Sequence, residues 1–189
     1  MAQVSTTYCI GLTIPSETQE QLQRYGTLLV DGNPAVAILD AGNYRVSLMT
    51  VKSQSRADVV RIQRAFKSVQ ERLQGYSFPI ATKMTCVYGD RTIAAFMVRS
   101  CGAPLPGWAQ QGSLGHLRHL FAMLHGSLAL EGIAPERMTR EDLYSPSVVF
   151  AYTQVRQRFE DVPPRDIPEE SQVQWQTSAG NLFMEQLRP

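Results

Sequence analysis

The order of segments along this chain predicts an α+β fold, with helices packed outside largely antiparallel sheets. Two observations carry that expectation. Segments read β-α-β-β-α-β-β-α-β, with neighbouring strands close enough to pair locally and helices set between the pairs. Each helical segment also carries one apolar stripe, so it has a single face to bury and belongs on the outside of a sheet. A chain of 189 residues is long enough for one substantial core, or for two small lobes that share one.

The first element is the compact apolar run Tyr8-Cys9-Ile10-Gly11-Leu12-Thr13-Ile14, which reads as a buried strand. Pro15 and Ser16 then announce a helix, with Ser16 as cap and Gln19 completing a capping box. Leu22, Tyr25 and Leu28 or Leu29 follow at helical spacing. Residues 35–39 form a second strand, and Asp40-Ala41-Gly42-Asn43 supplies turn chemistry before a strand over residues 44–51, which suggests a hairpin. Ser55 caps a long helix whose stripe is Val59, Ile62, Phe66, Val69 and Leu73. Its remaining face is basic (Arg56, Arg61, Arg64, Lys67, Arg72) and reads as a solvated surface, with nucleic-acid binding as the alternative.

Two β-rich runs, residues 78–88 and 92–101, meet at Gly89-Asp90, which suits a tight hairpin. Pro79 places the start of the first run at an edge or a bulge. A Gly- and Pro-rich loop over residues 102–112 delivers a third helix over residues 114–131, with Leu117, Leu120, Phe121, Leu124 and Leu128 as its stripe. Gly132 is placed to end it in the left-handed conformation. Residues 137–142 lead into a strand over residues 147–155. From about residue 159 the composition becomes acidic and proline-rich. The chain thus divides into a domain over residues 1–158 and a C-terminal tail over residues 159–189 with a short apolar segment. Trp175, Leu182 and Phe183 of that segment either fold back onto the domain or meet a protein partner.

Two stretches echo each other about a hundred residues apart. Asn43-Tyr44-Arg45-Val46-Ser47-Leu48 and Tyr144-Ser145-Pro146-Ser147-Val148-Val149-Phe150 both follow turn-rich segments and both alternate, so Arg45 shares a face with Ser47 and Ser147 with Val149. Together with the strand, proline, helix opening, they resemble the paired motifs of the 2H phosphoesterases, the superfamily of the LigT-like RNA 2′,3′-cyclic phosphodiesterases. The resemblance spans roughly residues 6–156. It implies a two-lobed, pseudo-symmetric fold with a central cleft between the motif strands. In that family each motif carries His-x-Thr/Ser. Here the histidine positions are Arg45 and Ser147, and their partners are Ser47 and Val149.

That departure is chemical. Opening a cyclic phosphate needs a base and an acid, and imidazole serves either role near neutrality. Guanidinium stays protonated, so Arg45 is no base. Ser147 alone is a poor acid or base, and Val149 has no donor. Only Ser47 keeps the family's chemistry. The expected protein is therefore a degenerate 2H domain with no catalytic residues that works by binding, first of all to a protein partner or assembly. The alternatives are an RNA- or cyclic-nucleotide-binding module without turnover, and an active phosphodiesterase with a remodelled site. For ligand binding the candidates are Arg45 and Ser47 on a phosphate, Ser147 and Tyr144 as polar contacts, and Tyr8 as an aromatic wall.

His116, His119 and His125 all lie on the third helix. They read as surface or interface residues, because neighbours on one helix cannot flank a phosphate and two ligands do not make a metal site. No phosphate loop, dinucleotide fingerprint or nucleophile elbow is present, and no cofactor or metal is expected. The formal charge of +1 gives no global attraction to nucleic acid. Cys9, Cys86 and Cys101 lack close-pair spacing and read as buried thiols of a reducing compartment. With no apolar run near ~20 residues and no signal-like start, no membrane is expected and the cytoplasm is the expected location.

Overall fold

The computed structural model describes residues 6–30, 36–89, 91–101, 115–153 and 165–187. Among them the strands are β1 (Thr6–Thr13), β2 (Val36–Ile38), β3 (Arg45–Ser53), β4 (Ser77–Tyr88), β5 (Ile93–Ser100), β6 (Ser147–Thr153), β7 (Arg165–Asp166), β8 (Gln174–Ser178) and β9 (Leu182–Gln186). The helices are α1 (Ser16–Val30), α2 (Arg56–Arg72) and α3 (His116–Leu130). The fold is α+β. One curled, antiparallel sheet runs β7-β4-β5-β6-β3-β1-β9, with β2 beside β6 and β8 beside β4, and the helices lie outside it.

Two half-sheets meet at a narrow seam. β1, β3 and β9 form one half, β4, β5 and β6 with their edge strands the other, and the ladder between them holds the single pair Ser47↔Ser147. The expected hairpin between the second and third strands does not form. Instead, β2 pairs with β6, and β3 pairs with β1. The reason is local: residues 41–43 wind into a 3-10 turn capped by Asp40, whose side chain accepts from the Gly42 amide, and this turn hands the chain across to the other half.

Each motif strand carries a bulge at the same place. In β3 the ladder with β1 steps from Met49 to Ser47, leaving Leu48 out. In β6 the ladder with β5 steps from Val149 to Ala151, leaving Phe150 out. Leu48 and Phe150 each directly follow the Ser/Thr motif position. Bulges re-aim side chains beside functional clefts, and here they recur with the pseudo-symmetry of the two halves. Beyond the bulge Met49 and Val51 turn inward, so Tyr44, Val46, Met49 and Val51 all join the buried core.

That core fills the space between sheet and helices. Phe150 is fully buried, stacks on Phe96 at 4.3 Å, and lies so close to α1 that only Gly26 fits against it: a Cβ there would come within 2.8 Å of its ring. Tyr25 of α1 stacks on Phe96 from the other side at 5.8 Å. Ser55 caps α2 by accepting from the Asp58 amide, as its position predicts. Ser16, by contrast, forms no capping box. The helix already starts at Ser16, the Pro15 carbonyl takes the Gln19 amide, and the Gln19 side chain donates to the Tyr44 carbonyl instead. Gly132 ends α3 at φ +80, the left-handed residue its position requires. His116 is buried rather than on the surface. It stacks on Phe78 with ring centroids 5.1 Å apart, and burial lowers its pKa.

The C-terminal segment supplies strands to both halves. β8 extends β4, and β9 extends β1. Trp175 and Leu182 are buried in the domain's own core, so the folded chain does not offer them to a partner. Phe183 is half-buried and lies over Gly11. The boundary expected near residue 158 lies outside the described residues, as does the loop over residues 102–112.

Candidate functional site: the seam between the motif strands

Alternation decides what faces the inside of the curl. Tyr44, Val46 and Val148 point to the helix side and are fully buried. The intervening Arg45, Ser47, Ser147 and Val149 point the other way, so the four motif positions gather on the inner face around the Ser47↔Ser147 pair. The sequence pairing of these two stretches is thereby a spatial one.

Arg45 is half-buried and turned back on its own turn. Its Nη1 donates to the Gly42 carbonyl at 2.9 Å and to the Tyr44 carbonyl at 2.8 Å. Ser47 is exposed, and its hydroxyl accepts a long contact from Cys9 Sγ at 4.0 Å. Burial pushes the Cys9 thiol pKa up, the Ser47 contact opposes that, and Glu185 on β9 adds to it. The thiol is thus held protonated, not armed as a nucleophile.

Ser147 is buried and lines the same groove as the Tyr88 phenol. Burial raises the Tyr88 pKa, helped by Cys86, while the neighbouring Ser147 hydroxyl opposes the rise. The phenol is therefore neutral at physiological pH. Val149 is half-buried and paired with Ala95. A groove of about 420 Å³ opens beside Ser147, lined by Met84, Cys86, Val87, Tyr88, Met97, Ser145 and Ser147.

Two expected contacts lie elsewhere. Tyr144 donates from its hydroxyl to the Leu117 carbonyl at 2.8 Å and packs on Phe121 at 4.3 Å, anchoring the second motif to α3. Burial raises its pKa. Tyr8 alternates with Cys9, pairs with Val51 and packs against the core, so it forms no wall of the cleft. The groove residues Tyr88, Met84, Met97 and Cys86 escaped sequence reasoning. Strand alternation in β4 and β5 was legible, but that Tyr88 meets Ser147 depends on which strand β5 pairs with next, and short motifs do not carry that.

Chemically, the inner face at the seam presents a tied guanidinium, hydroxyls, a phenol and thioethers. The three histidines sit on α3, outside the sheet. Among the described residues no group of three or more His, Cys, Asp or Glu side chains is placed to hold a metal ion. No helix among them is long and apolar enough to cross a membrane.

Sheet, seam and outer helices together have the fold seen in E. coli LigT. The structure of E. coli LigT complexed with 3′-AMP superposes with a TM-score of 0.57 at 13% identity, covering 97% of this chain and 96% of that one. TT0787 of Thermus thermophilus gives 0.60 at 11% identity, over 96% and 95% of the two chains. A crystal structure described as a phosphoesterase gives 0.56 at 14%, over 97% and 96%. No protein-family model and no curated protein matches the sequence. At these identities the likeness is one of fold.

Proposed function

We propose that this chain is a catalytically inactive LigT-like protein that acts by binding. One observation supports the reading: the motif positions converge at the seam, and among the described residues there none is a histidine or carboxylate suited to exchange a proton near neutrality. Arg45 is permanently charged and engaged with two carbonyls. Ser147 shares its groove with a phenol of raised pKa. Cys9 is held as a thiol. General acid–base catalysis of phosphodiester opening needs a pKa near the working pH on each side of the phosphorus, and none of these groups offers one.

The partner in this reading is another protein, met through the outer surface. Leu130 of α3 is 82% exposed beside Ala122, Gly126 and Ala129, which line an open groove with Met123 and Arg72 of α2. Trp175 and Leu182, buried in the core, are not part of that surface.

A second reading, nucleotide or RNA binding without turnover, is favoured by exposed Ser47 next to Arg45 and by the 3′-AMP held by E. coli LigT. Calorimetry with 2′,3′-cyclic nucleotides, cyclic dinucleotides and 2′-5′-linked oligonucleotides, with products followed by chromatography, separates the readings. Silence on both supports a protein partner. Binding lost in Arg45→Ala without turnover supports the nucleotide module, and turnover lost in Ser47→Ala would instead assign a remodelled phosphodiesterase.

A further inference from the structure

The groove beside the seam has a chemistry of its own. Its floor is soft and apolar: Met84 and Met97 are directly opposite each other on β4 and β5, and Cys86 Sγ lies 3.1 Å from Met97 Sδ. Its polar groups are the hydroxyls of Ser145, Ser147 and Tyr88. Ser145 contacts Met97 Sδ at 3.7 Å, and Ser147 is the β6 partner of Met97. No charged side chain is among its described lining, and Arg45 is turned to the Gly42 and Tyr44 carbonyls.

A phosphate entering such a groove would lose hydration without gaining a cation from its described lining, which is strongly unfavourable. An uncharged molecule would instead bury apolar surface on thioethers, side chains that adapt their shape to what they cover. The volume of about 420 Å³ is that of a small-molecule site. We propose that this groove binds an uncharged small molecule with an apolar body and a hydrogen-bonding group. The body rests on Met84 and Met97, and its polar group meets the hydroxyls of Ser145, Ser147 or Tyr88. This rests on the binding reading above, because it gives the inner face a ligand that is not a phosphodiester.

The probe is 6-propionyl-2-dimethylaminonaphthalene, an uncharged flat dye with one ketone acceptor, titrated into the full chain and followed by its emission shift. Saturable one-to-one binding is expected, unaffected by inorganic phosphate or 3′-AMP. Ser145→Arg and Met97→Lys each place an unpaired charge in the groove and weaken binding by about tenfold or more. Tyr88→Phe removes one hydrogen-bond donor and weakens it roughly 3- to 10-fold. Ser145 is exposed at the rim, so its variant keeps the fold, which a thermal melt verifies. Absence of saturable binding, indifference to Ser145→Arg, or displacement by phosphate would each overturn the proposal. Phosphodiester turnover, measured separately, would overturn only the non-catalytic reading.

Discussion

Gly11 is where β1, β3 and β9 approach too closely for any side chain. It pairs with Ser47 on one side and Phe183 on the other. A Cβ at this position would lie 2.3 Å from the Val46 carbonyl oxygen and 2.8 Å from two carbons of the Phe183 ring. The ring can swing aside, but the carbonyl belongs to the ladder and cannot. Gly11→Ala is therefore an overpacking substitution, expected to destabilise by about 2 kcal/mol. In a chain of 189 residues that corresponds to a melting temperature lower by roughly 4–8 °C. Thermal and urea melts of wild type, Gly11→Ala, Phe183→Ala and the double variant separate the two contacts. Phe183→Ala removes the ring contacts only, so Gly11→Ala should still cost about 1 kcal/mol or more in that background. A melting temperature unchanged in Gly11→Ala would refute the reasoning. Full rescue by Phe183→Ala would show that the Val46 carbonyl is not the obstacle.

Tyr44→Phe should leave stability unchanged or raise it by up to ~1 kcal/mol. The Tyr44 hydroxyl is buried without a hydrogen-bond partner, and its pKa is pushed up to about 12 by burial; a urea melt reads the difference. Phe150→Ala should cost about 3–5 kcal/mol by emptying the stack on Phe96, seen as a large fall in the urea midpoint. Asp58 is buried, accepts from the Gln54 amide and from Arg137 at 2.7 Å, and is held below the usual carboxylate range. Its folded pKa is depressed, so its contribution is present above the ordinary carboxylate pKa and lost as pH falls through the depressed value. Asp58→Asn should therefore cost about 2 kcal/mol at pH 7, and the gap to wild type should narrow as pH is lowered below about 4. A gap independent of pH would contradict the ion pair.

Local chemistry was legible in the sequence at two helix ends, though not at Ser16, whose capping box does not form. Ser55 caps α2 and Gly132 ends α3 because a cap depends on a few neighbouring residues. The two motifs announced the seam because alternation fixes which side chains share a face, and Ser47 duly meets Ser147. Pairing between distant segments was not legible. The turn after Asp40 looked like a hairpin because Asp-Ala-Gly-Asn suits one, yet the 3-10 turn sends β3 to β1. Tyr8 was expected in the cleft as an aromatic wall and Tyr144 as a polar contact, but strand alternation takes Tyr8, and its α3 contacts take Tyr144, to the helix side. Tyr88 entered the site for the converse reason: it lies far from both motifs in the sequence and arrives by sheet order alone.

The most direct test of the proposed absence of turnover at the seam is to follow purified protein with 2′,3′-cyclic nucleotides and chromatograph the products, wild type beside Ser47→Ala and Arg45→Ala. Product formation at the buffer rate in all three is the expected result. Turnover above background in wild type, abolished in Ser47→Ala, would contradict it and restore the seam as an active site.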